Sequence, residues 1–374
     1  MRAIVTGQVG MDKKAFVEAA ARLAAEMGDP VDVYHVGDMM YAEAPDVRPG
    51  RILDLPLSRL HGLRRSVLKD IINDSADKKN VIVNTHATFR WRHGLFRAFD
   101  FDQIKQLRPE MFICIVDNIE AVYHRLHHEH TVDASFKDLM VWREEEILAT
   151  ELLALAHGCG SECYVLPRGR NEPTIGNFYR LVCRPEMRKV YPSFPMTHVA
   201  DMPEVLAEIN AFRAEMAKYF ITFDPGEVDE KLLVEHAMRA LKEGSDFIEG
   251  RALMADGSIE TLRISAKQML ELAGDIDGQI YARDFQLIDQ SDMIVSLLPV
   301  LPGGGPGLSS GVERELHHAY EHGKEVYVVW QPKRNPSPFI TETATKVFKS
   351  TKQALEYFKT QGMFLPATGL FEQR

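Results

Sequence analysis

Short β-rich runs and amphipathic helical stretches alternate along most of the chain, and this alternation restricts the fold more than any other feature. The runs RAIVT, VDVYHV, VIVNT, MFICIVD and CYVLP are interleaved with helical spacing of apolar residues over 13–27, 63–73 and 139–156. Such a pattern predicts parallel sheets with helices on both faces, an α/β fold. Around 168–195 it breaks at GRNEP, CRPEMR and YPSFP, whose turn residues place a boundary near Pro185. It restarts with KVYPSFPMTHV, a helix over 202–219, ITFDP, a helix over 228–243, DMIVSLLP, EVYVVW and a last helix over 351–360. Two domains are expected, 1–185 and 186–374, with a flexible loop over a site within 244–265.

A length of 374 residues suffices for two cores, and 45% apolar with 26% charged residues excludes wholesale disorder. The net charge of −10 argues against a nucleic-acid surface. No apolar run of about 18 residues and no signal-peptide layout is visible, so a cytoplasmic protein with no membrane partner is expected, as a homo-oligomer. Cys114, Cys159, Cys163 and Cys183 fit no metal framework and are read as free thiols. The histidines of YHRLHHEH (His124, His127, His128, His130) are read as a solvated helix end, and no metal site is expected.

IVTGQVGMDKK follows one strand and opens a helix, the setting of a phosphate-binding loop. Gly7 and Gly10 would let backbone N–H groups approach an anion, and Lys13 occupies the loop-lysine position. Asp12 stands where a glycine is usual, and Lys14 and Ala15 offer no hydroxyl for magnesium. Over roughly 1–168 the order of elements resembles the archaeal-type adenylate kinases and related P-loop nucleoside monophosphate kinases, through IVTGQVGMDKK, VIVNTHATFRWRHG and MFICIVDNIEAVYHRLH. The resemblance implies a monophosphate site near Thr85 and His86, with Arg90 as its arginine and Asn84 in place of an acid. It names ATP with magnesium as the cofactor, against which Asp12 and Lys14 count.

In LSSGVERELHHAYEHGKEVYVV, Val312, Leu316, Ala319 and Tyr320 recur at helical spacing. Ser310 reads as the N-cap and Glu313 as its capping-box partner. At about 100° per residue, Glu315 lies at the border of the apolar stripe, partly sheltered, where a working acid belongs. The chain over roughly 189–358 resembles the nucleoside 2-deoxyribosyltransferase superfamily, which includes nucleoside 5′-monophosphate N-glycosidases, through IYARDFQLIDQSDMIVSLLP and SSGVERELHHAYEHGKEVYVV. The resemblance implies a flavodoxin/Rossmann-like doubly wound domain, Glu315 as catalytic nucleophile four residues after Gly311, and Asp284 assisting the leaving base. Asp292 would lie near the sugar. Ser309 stands where the transferases carry an acid, so Ser309, Ser310 and Gly311 would receive a 5′-phosphate, with Gly303, Gly304, Gly305 and Gly307 closing around it and Ser193, Thr197 and His198 nearby.

The expected function is cleavage or transfer of the N-glycosidic bond of a nucleoside or nucleoside monophosphate, with no cofactor at that site and a small molecule as partner. A nucleotide sensor without turnover, a bifunctional kinase and glycosidase, and a NAD-cleaving enzyme remain open.

Overall fold

The computed structural model describes residues 1–91, 94–129, 134–196 and 199–364. Its strands are β1 (Arg2–Thr6), β2 (Asp32–His35), β3 (Val81–Asn84), β4 (Thr88–Trp91), β5 (Gly94–Arg97), β6 (Met111–Val116) and β7 (Cys163–Pro167), followed by β8 (Lys189–Ser193), β9 (Ile221–Thr222), β10 (Phe247–Leu253), β11 (Ile259–Ser265), β12 (Met293–Leu298), β13 (Glu325–Trp330) and β14 (Lys346–Phe348). The chain divides into two compact units. Unit 1 holds Met1–Cys183 and Leu233–Ala273; unit 2 holds Arg184–Leu232 and Gly274–Arg374.

In unit 1 the main sheet runs β2-β3-β1-β6-β7, and every pairing is parallel. All six residues of β6 are buried, as a strand covered on both faces requires. Residues 244–265, expected to carry a loop, contain an antiparallel hairpin, with β10 and β11 in register from Phe247↔Ser265 to Leu253↔Ile259. Its buried face carries the small Gly250 and Ala252, while Phe247 and Ile259 are exposed, so hydrophobic alternation is faint in the sequence. The hairpin belongs to unit 1 because buried Arg125 and Arg168 both donate to the carbonyl of Leu253.

In unit 2 the sheet runs β14-β13-β12-β8-β9, again all parallel. Counted within the unit this is the order 2-1-3-4-5 of an open doubly wound sheet, whose strand order reverses between β8 and β12. Ligands in such sheets bind beyond the carboxyl ends of the strands at that reversal. Phe212, Met216, Phe220, Val295, Tyr327 and Phe358 pack in its core. Pro192 is tolerated inside β8 because β9 pairs only with Lys189 and Val190, so its missing N–H breaks no ladder on that side.

All four cysteines are free, Cys114 and Cys159 buried and the other two half-buried. Among the described residues no helix is long and apolar enough to cross a membrane.

Candidate functional site

At the strand reversal of unit 2, Tyr191 and Ser193 point the same way from the carboxyl end of β8, two residues apart as the pleat dictates. Both reach Glu315: the Tyr191 hydroxyl donates to Oε1 at 3.0 Å and Ser193 Oγ to Oε2 at 2.6 Å. Ser296 Oγ, opposite Ser193 in β12, donates to Ser193 Oγ at 3.2 Å and completes a buried hydroxyl relay. Glu315 lies on the Ser310–Glu321 helix, buried beside Val312, Leu316 and Ala319. Burial pushes its carboxyl upward, and the two hydroxyls pull it back.

Asp284, half-buried on the Ala273–Asp289 helix, faces the same acid. Burial and then the charge of Glu315 hold its carboxyl well above the usual range, opposed by Arg283. Two carboxyls that repel each other in a sheltered place take different protonation states, one acid and one base.

The helix start differs from the sequence reading. Ser309, not Ser310, is the N-cap, with its Oγ accepting from Val312 N at 3.1 Å. Glu313 sits one position past the capping-box site and is exposed. The glycine run folds onto itself: Gly304 N donates to Leu301 O and Gly307 N to Pro299 O. Gly303 and Gly304 make the turn tip at φ 99° and 83°, and a Cβ on Gly307 would meet Pro299 at 2.9 Å. Those N–H groups serve the turn, and Ser310 and Gly311 remain at the helix start. Asp292 is not at this site: its carboxylate accepts from Lys189 N at the amino end of β12, four residues from Ser296 and so about 13 Å along the strand. Thr197 and His198 lie outside the described residues.

In unit 1 the loop after β1 holds Gly7 at φ 141° and Gly10 at φ 85°. Lys13 Nζ folds back onto Gly7 O at 2.6 Å and His86 Nδ1 at 3.1 Å. Burial lowers its pKa from 10.5 to about 8, against the pull of Glu146. The buried Glu146 carboxylate accepts from the N–H groups of Gly7, Ala87 and Thr88, knitting the loop to β4.

Asp12 adopts left-handed backbone at φ 50°, and its carboxylate lies 3.4 Å from both Arg125 and Arg168. Arg125 also pairs with buried Asp117. The two guanidiniums and two carboxylates balance. Lys14, where magnesium would need a hydroxyl, pairs with Asp38 at 2.5 Å. The donor set does not fit a magnesium-bound triphosphate.

A cavity of about 380 Å³ opens beside the loop, whose Asp12 and Lys14 line it together with Lys13, Arg64, Thr85, His86, Phe89 and Trp91 among others. Arg90 is not in its lining: Phe89 and Trp91 face the cavity, so the alternation of β4 turns Arg90 away, into a bidentate pair with Glu145 at 2.6 and 2.9 Å. Among the described residues the arginine in the cavity is Arg64, 2% exposed, whose Nη1 meets no hydrogen-bond partner among them. Burial lowers its pKa to about 10, opposed by Asp100. Sequence reading passed over it, although Leu60, Arg64, Val67, Leu68 and Ile71 form one helical stripe in which an arginine is out of place.

Residues 6–143 match the family model described as AAA domain. A gluconokinase from Sinorhizobium meliloti 1021 superposes with a TM-score of 0.30 at 14% identity, covering 49% of this chain and 89% of that one. A shikimate kinase from Bacteroides thetaiotaomicron gives 0.29 at 14% identity, with 45% and 86% covered. Comparison with curated proteins gives no match. The matched residues lie within unit 1.

Proposed function

We propose that unit 2 cleaves the N-glycosidic bond of a nucleoside 5′-monophosphate. The observation that carries this reading is the sheltered carboxyl pair Glu315 and Asp284 at the strand reversal, with Glu315 anchored by Tyr191 and Ser193. The resemblance of SSGVERELHHAYEHGKEVYVV to the monophosphate N-glycosidases supports it.

Breaking the bond from C1′ to the base nitrogen sends the bonding electrons to the base and leaves positive charge at C1′. Ionised Glu315 attacks or stabilises that carbon from below the sugar, and protonated Asp284 gives its proton to the departing base. Water, or a second base, then takes the sugar from Glu315. The helix start supplies the phosphate contacts, through the Ser309 hydroxyl proton and the N–H groups of Ser310 and Gly311.

Unit 1 binds a phosphate monoester in the cavity, its anion between Lys13 and Arg64 and its body against Phe89 and Trp91. A reading in which the whole chain senses nucleotide without turnover is favoured by one feature, the grip of Arg125 and Arg168 on Asp12. Incubating the protein with nucleosides, monophosphates and NAD and separating the products decides between the two. Free base from a monophosphate, absent with Glu315→Gln, supports cleavage; no free base from any of them leaves the sensor.

A further inference from the structure

Outside both sites, two groups of described side chains bring three ligating atoms within 4.8 Å of one another: His124, His128 and Glu260, and Asp289, His318 and His322. Each pairs two histidines four residues apart with a carboxylate from another element. In the second group the ammonium of Lys324 is fixed on the carbonyl of Asp289 at 2.6 Å, a standing positive charge beside any ion. The first group has a different setting. The helix residue next to His124, Arg125, has its charge matched by Asp117 and Asp12.

His124 and His128 project from one face of the Ile119–Glu129 helix with ring centroids 4.4 Å apart. His124 is 9% exposed, and its Nε2 lies 2.6 Å from Glu260 Oε2 on β11. A solvated helix end would leave this ring in water; the hairpin covers it instead, while His128 and Glu260 stay open to solvent. His130 lies outside the described residues.

We propose that His124, His128 and Glu260 form a binding site for a zinc-class dication that fastens the β10–β11 hairpin to the Ile119–Glu129 helix. Two imidazoles and a carboxylate suit zinc and its neighbours among transition metals, and an i, i+4 histidine pair presents both rings to one ion. On binding, the direct contact of His124 with Glu260 is replaced by two bonds to the metal of about 2.0–2.2 Å each, and solvent completes the coordination. The fastening reaches the phosphate loop through the same elements. Leu253, on β10, accepts from Arg125 and Arg168, the two residues that hold Asp12 beside Lys13.

The test is calorimetric titration of chelator-treated full-length protein with zinc chloride, in a His322→Ala background that disables the second group, together with amide exchange of residues 247–265. We expect one saturable equivalent, weakened more than about tenfold by His128→Ala and by Glu260→Gln, and slower exchange of the hairpin with zinc only when the three ligands are intact. His128 and Glu260 are exposed, so unchanged melting temperatures without metal show that the variants fold. Absence of a saturable equivalent, or one that survives both substitutions, overturns the site. Binding that leaves hairpin exchange unaltered overturns the fastening.

Discussion

Ser193 and Glu315 are 122 residues apart in sequence, yet Ser193 Oγ donates to Glu315 Oε2 at 2.6 Å. This bond favours the charged form of an acid that burial drives toward neutrality. Ser193→Ala therefore moves the acid limb of base release to higher pH and lowers turnover by roughly tenfold or more, the worth of one hydrogen bond to a charge. A pH-rate profile of variant against wild type reads both effects, and Glu315→Gln abolishes release.

Asp284 gives a stability signature of the opposite kind to a salt-bridged acid. Its folded carboxyl titrates well above the unfolded one, so the folded state holds a proton that the unfolded state has lost. The resulting stability is fully present below the ordinary carboxylate range and disappears as pH rises through the raised value. Melting curves from acid to neutral pH should show this decline in the wild type and a flatter line in Asp284→Asn, with base release falling in the same variant.

The cap assignment separates two neighbouring residues of the Ser310–Glu321 helix. Ser309→Ala removes the hydrogen bond to Val312 N and costs about 1 kcal/mol in denaturant melts. Glu313→Gln loses only a helix-dipole contribution at an exposed position, roughly 0.3–1 kcal/mol at low salt, and that loss fades as salt is added.

Ligand binding in the unit 1 cavity should depend on pH through Lys13. Its ammonium is the form that holds an anion, and burial sets its pKa at about 8. Affinity for a nucleoside monophosphate is expected to be retained at neutral pH and to fall as pH climbs through about 8. Arg64→Met should weaken binding at every pH, by about tenfold or more for one charge-assisted contact. Calorimetry across the pH range distinguishes these patterns, and an Arg64→Met variant that binds like wild type would falsify the cavity assignment.

Asp12 answers for the charge of two buried arginines. Asp12→Asn removes one of the carboxylates that Arg125 and Arg168 share and should cost about 3 kcal/mol. Inorganic triphosphate should raise the melting temperature of this variant more than that of the wild type, since an anion then takes the place of the missing carboxylate.

Local periodicity and turn chemistry made much of this protein legible in its sequence. The alternation of β-rich runs and helical spacing anticipates two α/β units, the glycines and lysine of TGQVGMDKK mark the loop, and Glu315 stands out as an acid at the edge of an apolar stripe. Those properties depend on neighbours within a few residues, where a strand's period of two and a helix's period of 3.6 operate. The tertiary structure decided what long-range pairing governs. It set Tyr191, Ser193 and Asp284 around Glu315, and it sent Asp292 to the far end of its strand. It turned Arg90 away from the cavity and left Arg64 lining it, because the face of β4 that meets the cavity is fixed by packing. It also docked the β10–β11 hairpin on unit 1, because buried guanidiniums must find acceptors wherever the fold brings a carbonyl, and sequence separation says nothing of where that is.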